Sequence, residues 1–247
     1  MSTQVIGAPG QRVLDAVDHA FVDPAVHELR PDYAVLLIGA DGLANGPSDE
    51  ASQALLARAE EHARALLAGR RPEELPHIAQ WRQAYLAFGA KPQRTRNSLE
   101  ALTRRAADGL PRINLLTDHY NAISVLHQVP IGGEDLDGYQ GPARLVRADG
   151  SEPFDTVAAG QPVTEHPRLG EVVWRDDAGV TCRLWNWRQC SRTQLTPRTT
   201  TALFILDGLA EAGPEGLRAT GDALLAELMG ANPTAGFALR LIPPRQS

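Results

Sequence analysis

The stretch that decides the fold is GEVVWRDDAGVTCRLWNWRQCSRTQLTPRTTTALFILDGL, residues 170–209. Its first half predicts a β-hairpin whose strands are Gly170–Trp174 and Val180–Trp185. Three turn-forming residues separate these strands: Asp176, Asp177 and Gly179. Its last part, Ala202–Leu206, is a continuous apolar run typical of a buried strand. This part of the chain is therefore expected to form a sheet.

Between these strands lies a polar and aromatic cluster that contains no acidic residue. Four arginines fall between Cys182 and Arg198, although the whole chain has a net charge of -6. Within the cluster, two tryptophans alternate with amide and guanidinium side chains that can stack on planar groups and bind carboxylates or phosphates. The cluster predicts an anionic partner that carries an amino acid or a base.

The composition is that of an ordinary globular protein, with 43% hydrophobic and 22% charged residues among 247. No apolar run is long enough to span a bilayer, and the N-terminus has no cationic segment followed by an apolar one. We therefore expect a cytoplasmic protein without a membrane partner. The sequence shows neither metal-ligand spacing nor a phosphate-binding glycine pattern, so no metal and no cofactor are expected.

The order of periodic segments predicts an α+β fold. One buried strand, Tyr33–Ala40, precedes a series of helical patterns, and short strands follow from residue 130 to about residue 206. The predicted helices run from Ser48, from Pro72, from a cap at Asn97, and from a cap at Thr117 to His127. A short strand is predicted at Ile113–Leu116, a last helix at Leu217–Met229 and a last strand at Ala238–Ile242.

Two stretches carry a resemblance to a known family. They are LPRINLLTDHYNAISVLHQVPIGGEDLDGYQG, residues 110–141, and the hairpin with its polar cluster described above. Together they resemble free-standing proteins built on the editing domain of the bacterial phenylalanyl-tRNA synthetase beta subunit. That domain hydrolyses the ester of tyrosine wrongly attached to phenylalanine tRNA. The resemblance implies a mixed layered α+β domain and aminoacyl-tRNA as the partner.

The resemblance also divides the chain. Residues 88–209 are the expected editing-domain-like core, and residues 1–87 form an N-terminal α/β portion, a largely helical extension of that core. Without a recognisable linker, residues 1–247 are expected to form a single compact unit. The sequence leaves the oligomeric state open.

The chain departs from the family pattern at two positions. Gly132 stands where the family has a histidine, and Gln189 stands where it has a glutamate in a glycine-rich turn. The pocket is therefore expected around residues 113–135 and 185–193, with Gln189 and Thr193 as the catalytic candidates that hold water. The candidates for substrate binding are polar or aromatic residues of the same segments: Asn114, Asn121, Glu134, Trp185, Asn186, Arg188 and Arg192.

Several of these residues have an equally plausible structural role. Alternation along a strand would place one of Trp185 and Trp187 in the core and the other at the surface. Arg188 and Arg192 can be solvated surface residues, and Glu134 can belong to a plain acidic turn. Cys190 lies between two arginines, which predicts a lowered thiol pKa, but a bystander role is favoured because no base can be identified.

A second basic group precedes the family segments in the sequence. Its members are the candidates for RNA binding: Lys91, Arg94, Arg96, Arg104 and Arg105. The predicted function is a trans-acting aminoacyl-tRNA deacylase that removes a mischarged or non-protein amino acid. The alternatives are a non-catalytic module that binds aminoacyl-tRNA or an amino acid, and an aminoacyl transferase in a biosynthetic pathway.

Overall fold

The computed structural model describes residues 3–245 and has an α+β fold, as predicted. The seven helices found in those residues are α1 (Gln11–Asp18), α2 (Pro24–Leu29), α3 (Glu50–Leu66), α4 (Pro76–Ala87), α5 (Ser98–Arg105), α6 (Leu115–His127) and α7 (Gly213–Ala231). The strands are β1 (Gln4–Ile6), β2 (Phe21–Val22), β3 (Ala34–Asp41), β4 (Ile131–Asp135), β5 (Arg144–Arg147), β6 (Phe154–Ala158), β7 (Gln161–Glu165), β8 (Val172–Arg175), β9 (Val180–Arg183), β10 (Arg188–Gln189), β11 (Thr201–Gly208) and β12 (Gly236–Ile242). No helix among these residues is long and apolar enough to cross a membrane.

The central sheet has the strand order β1-β12-β3-β11-β4, and all its pairs are antiparallel. Strand β3 lies in the middle and is buried along all but its last residue, because both faces of the sheet are covered. Leu36 and Ile38 face α6 and α7, whereas Val35 and Leu37 face α1 and the second sheet. Residues before position 88 thus supply the middle strand of the sheet that carries β4 and β11.

The second sheet has the order β10-β9-β8-β5-β2, and its β8–β9 pair is the predicted hairpin. Asp176 forms the hairpin turn, because its carboxylate accepts the backbone N–H groups of Ala178 and Gly179. A separate hairpin, β6–β7, turns at Ala159 and Gly160, which both have a positive φ as a two-residue hairpin turn requires.

The prediction of a strand at Ile113–Leu116 is wrong, because α6 begins at Leu115. The cap of α6 is Asn114 and not Thr117: the Asn114 side chain accepts the backbone N–H of Thr117 at 3.0 Å. The predicted cap at Asn97 is confirmed, since its side chain accepts the N–H of Glu100 at 2.9 Å.

A left-handed turn follows β9 and leads the chain back into β10, which pairs antiparallel with β9. Leu184 and Trp185 both have a positive φ, which is uncommon for large side chains. Aromatic packing holds this conformation: the Trp185 ring lies 5.0 Å from that of Tyr33 and 5.3 Å from that of Trp81. Trp185 is fully buried and Trp187 is 36% exposed. One ring is in the core and the other at the surface, but the cause is this turn and not strand alternation.

Candidate functional site

Strand β4 is an edge strand, and its register with β11 decides which side chains meet beside it. Glu134 is paired with Leu203 and Gly132 with Ile205, so all four lie on the face that looks toward the second sheet. Asp207 lies on the same face, two residues beyond Ile205. The register therefore brings two carboxylates to one side of the sheet.

A cavity of about 260 Å³ lies at this edge, between β4, β11, α5, α6 and the turn after β9. Its lining consists of Ser98, Ala101, Leu102, Tyr120, Asn121, Ile131, Gly132, Glu134, Trp174, Cys182, Trp185, Asn186, Trp187, Gln189, Ile205 and Asp207. The two segments predicted to form a pocket, residues 113–135 and 185–193, thus meet here. The lining from α5, together with Trp174, Cys182, Ile205 and Asp207, lies outside the predicted segments.

Gly132 leaves space on the floor of this cavity. A Cβ atom placed there would have no atom within 4 Å outside its own chain neighbourhood. The neighbouring Gly133 differs, because its Cβ would come within 2.8 Å of the Tyr120 ring and 2.9 Å of Leu195. The first glycine therefore opens the cavity, and the second permits close packing on the opposite face of β4.

Glu134 and Asp207 are the two carboxylates of the cavity, and both are buried. Glu134 accepts the hydroxyl of Tyr139, while Asp207 accepts the Tyr33 hydroxyl at 2.5 Å and the Asn186 amide at 3.3 Å. Burial raises the pKa of Glu134 to about 7, and burial likewise raises the pKa of Asp207 to about 7. Each group therefore changes its charge near neutral pH.

Gln189 fixes the turn after β9 to the outer edge of β4, where Glu134 also forms an isolated bridge with Gln194. Its amide nitrogen donates to the carbonyl oxygens of Gly133, at 2.9 Å, and Thr193, at 2.8 Å. Within residues 3–245 its Oε1 atom accepts no hydrogen bond. Since N–H and C=O of one strand residue point to the same side, the N–H of Gly133 also points away from β11 and toward this edge.

The walls of the cavity carry further unused polar groups. The indole N–H groups of Trp174 and Trp185 are buried without a partner at full hydrogen-bond geometry in residues 3–245, although the first interacts weakly with Asp207 and the second with the Tyr33 hydroxyl. The Asn121 amide, on α6, also has no hydrogen-bond partner in that range. Asn186 differs, because its amide is engaged: it accepts from Tyr85 at 3.0 Å and donates to Asp207. Donors are thus available to a ligand from three sides.

Two of the predicted site residues have structural roles away from the cavity. Asn114 caps α6, as described above. Thr193 is fully buried, and its hydroxyl lies 3.3 Å from the sulfur of Cys190. Because neither lines the cavity, the predicted catalytic role of Thr193 as a direct water ligand and the predicted substrate contact of Asn114 do not fit the geometry.

The prediction that Arg188 and Arg192 face the pocket is wrong. Arg188 is ion-paired with Glu165, and Arg192 binds both carboxylate oxygens of the buried Asp176, at 2.8 and 2.9 Å. The local sequence lacks acids, but residues distant in sequence supply them. The predicted lowering of the Cys190 thiol pKa is also wrong, since burial raises it.

The predicted basic group lies at the mouth of the cavity. Two grooves flank the exposed ring of Trp187: Lys91 and Arg94 line one, and the other contains Arg94, Arg96, Arg104 and Arg105. The second groove shares Ala101 and Trp187 with the cavity. Arg104 is ion-paired with Glu73 and Glu100, but Lys91, Arg94 and Arg105 have no acidic partner within residues 3–245. Cationic side chains therefore lie next to an acidic interior.

The fold and the cavity define an α+β domain with a small polar cavity at the edge of its central sheet. Residues 80–213, more than half of the 247, match the family model of the B3/4 domain, and the chain belongs to this family. The B3/4 domain is a domain of the phenylalanyl-tRNA synthetase beta subunit, so the predicted resemblance is confirmed.

Among solved structures, one similar chain is an N-terminal fragment of the phenylalanyl-tRNA synthetase beta subunit from Pyrococcus horikoshii. The identity is 14%, the TM-score is 0.42, and the similarity covers 90% of this chain and 49% of that one. This chain thus spans about half the length of that fragment. Comparison with curated proteins finds no match.

Two glycine variants test the assignment of the cavity floor. Gly132→Ala fills open space and should leave the free energy of unfolding nearly unchanged. Gly133→Ala must displace Tyr120 or Leu195, and it should lower the free energy of unfolding by about 1–3 kcal/mol. The free energy of unfolding is measured for both by urea denaturation. Equal destabilisation by the two variants would contradict the assignment.

The buried carboxylates predict an unusual dependence of stability on pH. Because their pKa values are raised in the folded state, the folded protein binds more protons than the unfolded chain between about pH 4 and pH 7, so its stability falls as the pH rises through this window. Each shift corresponds to roughly 3–4 kcal/mol. Glu134→Gln and Asp207→Asn should therefore raise the melting temperature at pH 8 and change it little at pH 4.

Calorimetric melting of both variants and of the parent at the two pH values checks this expectation. Asp137→Asn is the matched control, because Asp137 is an exposed carboxylate outside the cavity. If Glu134→Gln and Asp207→Asn lower the melting temperature at pH 8, the carboxylates are structural and the cavity has another purpose.

Proposed function

We propose that the protein hydrolyses the ester of an aminoacyl-tRNA in trans, with the aminoacyl group inside the cavity at the β4 edge. The observation that carries the proposal is the juxtaposition of an acidic interior and a cationic rim in a member of the B3/4 family. An aminoacyl-tRNA has the complementary arrangement of charges: the α-ammonium of the amino acid is at its end, and the phosphates of the acceptor end are next to it.

The size of the cavity supports an aminoacyl group as its occupant. Pockets that enclose drug-sized ligands measure about 300–1,000 Å³. A volume of about 260 Å³ suits a single amino acid and leaves the terminal nucleotide outside. The exposed ring of Trp187, at the rim, then offers a surface on which the terminal base can stack.

The charges of the interior and the rim support the same orientation. Glu134 is assigned to the α-ammonium of the amino acid, because an ionised carboxylate that lacks a cationic partner gains most from an ammonium. Lys91, Arg94 and Arg105 are assigned to the phosphates of the acceptor end. The aminoacyl group and the acceptor end would thus contact different parts of the site.

Ester hydrolysis requires donors toward the developing oxyanion and an oriented water molecule. The indole N–H groups of Trp174 and Trp185 are the donors that the cavity lining offers, and the outward N–H of Gly133 lies at the β4 edge beside it. The free Oε1 of Gln189 is assigned to the attacking water. None of the residues in 3–245 that line the cavity is a histidine. A hydroxyl of the substrate ribose is therefore assigned to assist the attacking water.

The second candidate function is a binding module that holds aminoacyl-tRNA without hydrolysing it. The specific observation in its favour is Gly132, which stands where the family has a histidine and contributes only empty space. The third candidate, an aminoacyl transferase, has less support. Cys190 is buried outside the cavity, and burial raises the thiol pKa of both Cys190 and Cys182.

Turnover separates the enzyme from the binding module. Purified protein is mixed with a panel of aminoacyl-tRNAs, including mispairs of tyrosine and alanine, and ester loss is compared with the rate without protein. We expect selective acceleration of at least one member, abolished in tRNA that lacks the vicinal hydroxyl on the terminal ribose. Tight binding without acceleration of any member would leave only the binding module.

The cationic rim is tested by the salt dependence of tRNA binding. Replacing Lys91, Arg94 and Arg105 by alanine together should weaken binding and reduce the slope of log K against log salt by about two to three units, one contact per residue. Arg58, Arg64 and Arg70, which line neither groove, give a control with the same loss of charge. Equal effects of the two triple variants would show that net charge alone determines binding.

A further inference from the structure

Most buried acids elsewhere in residues 3–245 pair with an arginine, whereas the two cavity carboxylates do not. Within residues 3–245, seven acidic side chains are buried. Four of them pair with an arginine: Glu100, Glu152, Glu171 and Asp176. Asp118 accepts the backbone N–H of Ile113 and the hydroxyl of Ser48. Only Glu134 and Asp207 remain, and both line the same cavity.

Within residues 3–245 neither of these two carboxylates forms an ion pair, and the charge of Arg192, which is paired with Asp176, acts on Glu134 only from a distance. The side-chain donors around Asp207 are a tyrosine hydroxyl, an asparagine amide and the Trp174 indole, and those around Glu134 are the hydroxyls of Tyr139 and Thr181. An ionised carboxylate buried with neutral donors alone is costly, because its charge is not compensated. Two such groups in one cavity indicate a ligand that supplies the missing positive charges.

The positions of the two carboxylates define the shape of that ligand. Asp207 lies four residues along β11 from Leu203, which is paired with Glu134, a distance of about 14 Å at roughly 3.4 Å per residue. Between them lie Ile205 and the open space over Gly132. The cavity is thus acidic at both ends with Ile205 and Gly132 between them, and three tryptophans, Trp174, Trp185 and Trp187, contribute to its lining.

We propose that the cavity is specific for aminoacyl groups with a cationic side chain, whose α-ammonium binds Glu134 and whose side-chain cation binds Asp207. This inference rests on the proposed function, because it assumes that the amino acid occupies the cavity. The alkyl part of a basic side chain lies over Ile205 and Gly132. Asp207 is then the residue that determines specificity.

The first test compares ligands that differ in the presence of the terminal ammonium group. Binding of lysinamide and of norleucinamide, its nearly isosteric neutral analogue, is measured by calorimetry at pH 7.5. We expect the parent protein to prefer lysinamide by about tenfold or more, as for one charge-assisted hydrogen bond. Equal affinities, or a preference for norleucinamide, would overturn the inference. Argininamide and ornithinamide define the preferred length of the side chain.

The second test removes the two carboxylates one at a time. Asp207→Asn should abolish the preference for lysinamide over norleucinamide while norleucinamide still binds, whereas Glu134→Gln should weaken both ligands. Asp137→Asn, outside the cavity, should keep the parent ratio. A preference that survives in Asp207→Asn would assign the specificity to another residue and overturn the proposal.

The hydrolysis assay distinguishes failure of this inference from failure of the proposed function. Hydrolysis of aminoacyl-tRNAs with neutral side chains, and of none with basic ones, would support the deacylase and overturn the specificity. Selective binding of lysinamide without hydrolysis of any aminoacyl-tRNA would support the specificity and overturn the deacylase.

Discussion

The aromatic packing around Trp185 is the interaction on which the rest of the site depends. The ring is fully buried against Tyr33, which directly precedes β3, and Trp81 of α4. This contact stabilises the left-handed turn after β9 and fixes the second sheet over one face of the central sheet. The same turn places Gln189 against the β4 edge and Trp187 at the surface. One turn therefore positions both a residue of the cavity wall, Gln189, and the residue at its entrance, Trp187.

The cavity contains several features that lower the stability of the folded state and that a purely structural core would not have. Two buried carboxylates without a cation, two indole N–H groups without a partner and the empty space over Gly132 lie within one small volume. Each reduces the stability of the folded state, and all are features that a ligand with donors, acceptors and apolar bulk would relieve. Elsewhere in residues 3–245 the fold pairs four of its five buried acids with arginines, and the fifth, Asp118, accepts hydrogen bonds from Ser48 and Ile113. The concentration of exceptions at the β4 edge is the physical argument for a binding site there.

Local pattern was sufficient for much of the fold and for part of the site. The apolar run of β3, the β8–β9 hairpin and the cap at Asn97 follow from residues close in sequence, and these predictions are confirmed. Asp207 could not be found in this way, because it sits at the end of an apolar strand and acquires its role from the β4–β11 register. The prediction for Arg188 and Arg192 is wrong because local sequence does not show their acidic partners. These partners, Glu165 and Asp176, are 23 and 16 residues away in sequence.

The central claim is that the aminoacyl group occupies the cavity while the RNA stays at the rim. A crystal structure with a non-hydrolysable, amide-linked aminoacyl-adenosine tests this claim most directly. The account predicts the α-ammonium at Glu134, the ligand carbonyl beside the N–H of Gly133, and the adenine against Trp187. Density for the amino acid outside this cavity would contradict it. One such place is a groove of about 650 Å³ beside α1, whose lining includes Gln11, Asp15 and Tyr139.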